Sequence, residues 1–382
     1  MDSVAWLDRL IAFPTVSRDS NRGLIACVHE YLAGLGARVR VVGNADGSKA
    51  NLFASFGPWG DGGVLLSGHT DVVPVDGQVW THDPFRMTER DGLLFGRGAC
   101  DMKGFLACML TAAAQAAARP LARPLHLSFS YDEEIGCVGV RALLDVLAAE
   151  GPRPDLCLIG EPTGMQVATG HKGKISARAT CCGVAGHSAL APLACNAIHL
   201  ASDLVQRLRA RQDSIASTGM RDSGYDVPYT TLHVGRIGGG VALNMVPETC
   251  TLDFEIRAIA ADSAPEILAA IAGDAAALTA EVRHRFPAAG IRIETINAYP
   301  GLDTPANSEA FALVRALAEA GGPIKVAFGT EGGLFQAALG MPVLVCGPGH
   351  MAQGHVPDEF VSRAQLARCD AMLAGMVGQL AV

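Results

Sequence analysis

The stretch that most limits how this chain can fold is Leu65-Leu66-Ser67-Gly68-His69-Thr70-Asp71-Val72-Val73-Pro74. An apolar run ends in a His-x-Asp pair, and Val-Val-Pro stops the element. Such a run reads as a central strand whose C-terminal end projects polar groups. Open α/β sheets bind their ligands at those ends. The rest of the chain must therefore supply neighbouring strands, covering helices, and partners for His69 and Asp71.

The flanking sequence has that pattern. Helical spacing over 3–11 and 23–34 precedes strands over 38–42, 51–56 and 64–67. The Gly-rich turn Gly96-Arg97-Gly98-Ala99-Cys100-Asp101-Met102-Lys103-Gly104 leads into a helix over 105–118. A strand over 125–131 runs into Asp132-Glu133-Glu134-Ile135-Gly136, a helix follows over 140–149, and a buried strand over 156–159 ends in Gly160-Glu161-Pro162-Thr163. Helix and strand in alternation predict an α/β domain with a mostly parallel sheet. From Lys172 the texture changes to strand 174–183, helix 196–211, strands 230–237 and 249–258, helix 263–286 and strand 291–296. That is the split βαβ, ferredoxin-like order. The α/β texture returns with a helix over 309–320, a strand over 325–328, a loop from Thr330, a buried strand over 342–346 and a closing helix over 363–379. The expected layout is one domain from 1–172 and 299–382, interrupted by a second from 173–298.

The net charge of -8 and pI near 5.8 disfavour nucleic acid or an anionic membrane as partner and leave a small molecule or another protein. No signal peptide is read at Met1-Asp2-Ser3-Val4-Ala5-Trp6, and no apolar run approaches the ~18 residues of a membrane span. Eleven scattered cysteines without a Cys-x-x-Cys pair predict a reducing cytoplasm, with the thiols, Cys181 and Cys182 included, used for packing.

Candidate site residues fall where strands end or helices begin: His69, Asp71, Asp101, Glu133, Glu134, Glu161, His187 and His355. A His and carboxylate set without Cys suits Zn²⁺, Co²⁺ or Mn²⁺ rather than a structural thiolate site. Two cations a few Å apart need a bridging carboxylate and together can clamp the oxygens of a hydrolysis. Adjacent Glu133 and Glu134 repel one another unless a cation lies between them or they take different roles, one as ligand and one as base. Dinucleotide, Walker A, His-Glu-x-x-His and Gly-x-Ser-x-Gly signatures are absent.

These motifs, with Gly186-His187-Ser188 and the segment around His355, resemble those of the M20 metallopeptidase family over essentially the whole chain. Within it the similarity is greatest to the acetylornithine deacetylase branch, through Trp80-Thr81-His82-Asp83-Pro84-Phe85, Gly170-His171-Lys172-Gly173, Asn244-Met245-Val246-Pro247 and Phe328-Gly329-Thr330-Glu331-Gly332-Gly333. The resemblance implies a metallo-exopeptidase-like α/β catalytic domain with an inserted ferredoxin-like α+β lid and dimerisation domain. It also implies two divalent ions, Zn²⁺ first and Co²⁺ or Mn²⁺ as alternatives. His69, Asp101 and Glu161 would hold one ion; Asp101, Glu134 and His355 would hold the other. Asp71 would orient His69, Glu133 would act as general base, and His187, supplied in relatives by the partner subunit, would stabilise the oxyanion. Asn244, Arg257, Gly329 and Thr330 would contact substrate. The implied reaction is hydrolysis of N-acetylornithine to ornithine and acetate in arginine biosynthesis, by a cytoplasmic homodimer. Val356, in His355-Val356-Pro357-Asp358-Glu359, departs from the basic residue usual in that branch. N-acetylcitrulline, another N-acyl amino acid or a dipeptide therefore remain alternative substrates.

Overall fold

The computed structural model describes residues 1–382. They divide into two units, Met1–His171 with Leu302–Val382, and Lys172–Gly301. The first unit is built on a nine-stranded mixed sheet. Its centre is four parallel strands in the spatial order Leu125–Ser130, Val64–His69, Leu156–Pro162 and Val343–Gly347. Every residue of these four strands is buried. Arg38–Gly43 and Ala50–Phe56 extend one side antiparallel, and short strands around Ala168–His171 extend the other.

Alternation along the central strands sorts their side chains to two faces. Leu66, Leu127, Leu158 and Leu344 join one apolar core with Phe105, Met109, Leu366 and Met372, from the helices Gly104–Ala117 and Arg363–Leu380. Leu65, Cys157, Ile159, Val343 and Val345 join the other with Leu143, Leu147, Phe335 and Leu339, from the helices Val140–Glu150 and Gly332–Leu339. A sheet covered on both faces leaves its strand ends as the place where polar groups gather.

Two glycines allow a close approach there. A Cβ on Gly160 would lie 1.8 Å from the Phe105 ring, and one on Gly68 would lie 2.6 Å from Met102. The turn Ala99–Lys103 can therefore press against the ends of Val64–His69 and Leu156–Pro162.

The second unit is a four-stranded antiparallel sheet in the order Thr231–Gly239, Thr249–Ala258, Gly173–Cys182, Gly290–Tyr299. The helices Ala197–Thr218 and Ala264–Arg283 supply its core through residues such as Leu200, Leu204 and Ile271, against Ile175, Ala177, Leu252 and Phe254. The strand order and the two intervening helices are those of a ferredoxin-like α+β fold. Asn196 and Ser263 cap the two helices with side-chain oxygens.

The sequence pattern misses some elements. The helix Gly332–Leu339 lies in what reads as a loop, because Gly332-Gly333 is a poor helix start. The Thr330 hydroxyl, accepting from Gly332 N, and the burial of Phe335 and Leu339 offset this. The three-stranded sheet of Thr88–Arg90, Leu93–Phe95 and Phe360–Ser362 has strands too short to show periodicity. No helix is long and apolar enough to cross a membrane.

His126 is one of the buried polar residues of the sheet. It is fully buried, stacks on Phe53 at 5.4 Å, and neither ring nitrogen makes a well-formed hydrogen bond. Burial pulls its pKa down to about 4. The unfolded chain then binds a proton that the folded chain refuses, so stability is full above about pH 6.5 and falls as pH drops towards 4. We expect this residue to cost about 2 kcal/mol at pH 5 relative to pH 7. Urea unfolding at the two pH values should show that part of the loss removed in His126→Phe.

Candidate functional site

The ends of three of the four parallel strands deliver most of the site. Val64–His69 ends on His69, Leu125–Ser130 runs into Asp132-Glu133-Glu134, and Leu156–Pro162 carries Glu161 in its last turn of strand. Asp101 sits in the turn Ala99–Lys103 that Gly68 and Gly160 admit. His355 follows the short helix Met351–Gln353 with φ of 62°, a left-handed conformation uncommon for a non-glycine residue. Asp132 has the same feature, with φ of 56°, where the chain leaves the sheet towards Glu133.

Asp101 lies between the two histidines. One carboxylate oxygen is 3.1 Å from His69 Nε2, and the other is 3.1 Å from His355 Nε2. Glu161 lies 3.7 Å from His69 Nε2, and Glu134 lies 3.0 Å from His355 Nε2. The ligand atoms of His69, Glu133 and Glu161 fall within 4.8 Å of one another, as do those of His69, Asp101 and Glu134. Both members of the Glu133-Glu134 pair therefore reach the same cluster.

Burial and charge act together on these groups. Burial, then the charge of Asp101, pushes Glu161 well above the usual carboxylate range and Glu134 up to about 7. Glu133 is also well up, from burial above all, with Glu134, Glu331 and Asp101 adding. His355 is raised to about 10 by its contacts with Asp101 and Glu134. Burial opposes charge on His69, but Asp101, Asp71 and Glu161 outweigh it and hold its pKa well up. Asp101, between two imidazoles, is held well down in spite of its burial. This donor set fits divalent cations: two imidazoles and several crowded carboxylates, converging on a centre whose like charges a cation would balance. The neighbouring thiols are outside it. Cys100 Sγ faces the His350 carbonyl oxygen, Cys137 Sγ faces Glu133 Oε1, and burial keeps both protonated.

Asp71 lies behind His69 and does more than face its ring. His69 Nδ1 is closest to the Asp71 carbonyl oxygen, at 2.9 Å, with the carboxylate at 3.5 Å. The carboxylate itself accepts from Ser17 Oγ and from the backbone N–H groups of Glu133 and Glu134, at 2.7, 3.1 and 3.3 Å. One buried anion thus sets both the His69 side and the Glu133-Glu134 side.

The remaining candidates are placed less closely. Thr330 is fully buried and its hydroxyl accepts from Gly332 N, so a contact with substrate would come from its backbone. Gly329 is half-buried beside it. In the second unit, His187 pairs with Met245 across a short antiparallel ladder, and Ser188 N donates to the Asn244 carbonyl oxygen, which brings His187 and Asn244 together. Both are exposed. Arg257 is engaged by Glu255, through Nε at 3.1 Å and Nη2 at 3.3 Å.

Sequence reasoning passed over two buried acids. Glu359 is 1% exposed, pairs with Arg97 at 2.5 Å, and accepts from Cys100 N and Asp101 N. Glu331 is 1% exposed, has one carboxylate oxygen without a partner, and is raised by burial to about 7. Glu359 stands in the His-Val-Pro-Asp-Glu run and Arg97 in the Gly-rich turn, but pairing across that distance leaves no local pattern.

Replacing Asp71 with Asn would keep the shape but set an amide N–H₂ in place of one of the two oxygens that share the three donors, against Glu133 N or against Ser17 Oγ and Glu134 N. We expect a loss of about 2–4 kcal/mol in unfolding free energy. Ser17→Ala, which removes one of those donors, should cost about 1 kcal/mol. Chemical unfolding would read both, and equal effects would show that the Asp71 carboxylate does not organise the site.

The same architecture occurs in solved structures. An M20 family metallo-carboxypeptidase from Sulfolobus solfataricus superposes with a TM-score of 0.79 at 17% identity, covering 99% of each chain. A tripeptidase from Staphylococcus aureus gives 0.77 at 17% identity, over 99% of this chain and 97% of that one. A dinuclear metal binding peptidase from Bacillus subtilis gives 0.70 at 14% identity, over 99% and 97%. At such identities the likeness establishes the fold. The sequence profile of Peptidase family M20/M25/M40 matches residues 65–379, a span that takes in His69, Asp101, Glu133, Glu134, Glu161 and His355. With that match over most of its length, the chain belongs to peptidase family M20/M25/M40, a family of metal-dependent hydrolases.

Proposed function

We propose that this protein hydrolyses the amide bond of an N-acyl amino acid at a centre of two divalent cations. The observation that carries the reading is Asp101, whose two carboxylate oxygens face His69 and His355 separately at 3.1 Å. A carboxylate so placed suits a bridging ligand. His69 and Glu161 would complete one site, and Glu134 and His355 the other, with Zn²⁺ the first candidate and Co²⁺ or Mn²⁺ alternatives. Bound there, the ions would supply Lewis acidity at the amide carbonyl and bring the pKa of water towards ~7.

Glu133 is the group we assign to proton transfer. Its carboxylate reaches the cluster beside the proposed cation sites, where it could take a proton from water and pass it to the departing amine. Asp71 orients His69. His187 and Asn244, adjacent on the unit Lys172–Gly301, are proposed to meet the oxyanion and the substrate carboxylate, and Arg257 would serve the latter by releasing Glu255. Gly329 and Thr330 would line the substrate through their backbone. That unit is proposed as lid and homodimer interface. Its edge strand Thr231–Gly239 is largely exposed, and Val241 and Leu243 stand free of the core at 94% and 101% exposure. Eleven free thiols fit the cytoplasm.

N-acetylornithine, in arginine biosynthesis, is the substrate favoured by the motif resemblance. A second reading, a neutral N-acyl amino acid such as N-acetylcitrulline or a dipeptide, is favoured by the exposed apolar residues adjacent in sequence to the cluster and its loop. Val356 is 44% exposed next to His355, Ile135 is 57% exposed next to Glu134, and Val79 is 88% exposed next to Gln78, which bonds the His355 loop. Nearby acids are already engaged: Asp76 by Arg18, Asp132 by Lys49, and Asp358 by Thr81. Amine release across N-acetylornithine, N-acetylcitrulline, N-acetylleucine and a dipeptide discriminates the two readings. A preference for the neutral compounds would sink the acetylornithine assignment.

Glu133→Gln should keep both metal equivalents and lower kcat about 10²- to 10⁴-fold. A near-normal rate would remove Glu133 as the proton carrier. His187→Ala should lower kcat with metal content unchanged, as read by elemental analysis of the assayed sample. Parallel loss of metal would instead make His187 a ligand.

A further inference from the structure

Between the strand ending in His69 and the Gly-rich turn, Gln78 makes three side-chain contacts. Its Oε1 accepts from Arg97 Nη2 at 2.6 Å and from Trp80 Nε1 at 3.0 Å. Its Nε2 donates to the His355 carbonyl oxygen at 3.0 Å. Two obligate donors on the oxygen fix the amide orientation, so the nitrogen must face His355. Arg97 is fully buried, lies over the Trp80 ring at 4.9 Å, and donates through Nη1 to Glu359. The other Glu359 oxygen accepts from Cys100 N at 2.9 Å and Asp101 N at 3.0 Å.

A continuous hydrogen-bonded path therefore runs from the Asp101 backbone, through Glu359, Arg97 and Gln78, to the His355 backbone. Its two ends carry the side chains that meet at 3.1 Å. The Asp101 end is buried and braced by the sheet. The His355 end is half-exposed and in a left-handed conformation that its own sequence does not favour. Gln78 contributes the shorter contact, at His355 itself, that ties the looser end to the firmer one; Arg97 Nη1 adds a longer one to the Val356 carbonyl oxygen at 3.4 Å. Gln78 does not touch the ligand side chains, so its action would be on their spacing.

We propose that Gln78 is a positioning residue for the cation held between Asp101, Glu134 and His355, fixing the His355 loop against the buried Arg97–Glu359 pair that holds Asp101. The proposal rests on the reading of those three residues as metal ligands. It predicts an asymmetry: the two cation sites share Asp101, yet only one of them depends on Gln78.

The test is a Zn²⁺ titration of the metal-free full-length protein by calorimetry with a competing chelator, which separates two equivalents by affinity. Gln78→Glu keeps acceptors for Arg97 and Trp80 but loses the donor to His355. Gln78→Leu loses all three contacts. Both should weaken one equivalent about 10- to 100-fold and leave the other within about 3-fold. Thr81→Val serves as control. Its hydroxyl bonds Asp358 at 2.6 Å, tying the same two loops away from the His355 carbonyl, and its loss should leave both equivalents within about 3-fold. Equal weakening of both equivalents in the Gln78 variants, no weakening of either, or an equal effect of Thr81→Val would overturn the proposal. If the unsubstituted protein takes up fewer than two equivalents, the two-cation reading fails and the proposal fails with it. That outcome is recognised without any variant.

Discussion

Crowding of negative charge in a place with little water is the constraint the first unit has to meet. Asp101, Glu133, Glu134 and Glu161 converge with His69 and His355, and most of these side chains are buried. Carboxylates so arranged raise one another's pKa and gain from any positive charge among them. The imidazoles supply some of it, and divalent ions fit the remainder. A core of Leu, Val and Met could not hold these groups in place by itself, because apolar packing gives no direction to a carboxylate.

Direction comes from a further layer of buried anions facing backbone amides. Asp71 gathers the N–H groups of Glu133 and Glu134, and Glu359 gathers those of Cys100 and Asp101. The site residues are thus set through their main chain, which leaves their side-chain oxygens free to face the cluster. Glycines at 68 and 160 make the arrangement sterically feasible, since the turn bearing Asp101 must lie against the strand ends bearing His69 and Glu161. Charge, hydrogen bonding and close packing meet at these few residues.

Much of this was legible in the sequence. The apolar runs before His69, Glu133 and Glu161 mark buried strands, and polar groups at such ends have few places to go but a shared site. The ferredoxin-like order of the second unit was legible because its strands alternate over ten residues, as in Thr249–Ala258. The rest was hidden for physical reasons. Glu359 and Arg97 pair across 262 positions of sequence, and each alone looks like an ordinary surface charge. The helix at Gly332 starts on residues that disfavour helices, and tertiary burial of Phe335 decides the matter. Arg257 reads as an available cation, but Glu255 two residues away on the same strand already holds it. Thr330 reads as a polar contact residue, and its hydroxyl instead closes the turn into the following helix.

The order of residues along the chain has a consequence for biosynthesis. His69, Asp101, Glu134 and Glu161 all leave the ribosome before the unit Lys172–Gly301 begins, whereas the strand Val343–Gly347, His355 and the helix Arg363–Leu380 come after it. For that interval the nascent sheet lacks an interior strand and two of its covering helices, Gly332–Leu339 and Arg363–Leu380. The carboxylates are then present without the parts that bury and pair them. The inserted unit has its own apolar core and can close on itself while this continues. During synthesis, then, the open edge of Leu156–Pro162 is an exposed apolar strand awaiting its parallel neighbour, the kind of surface chaperones bind.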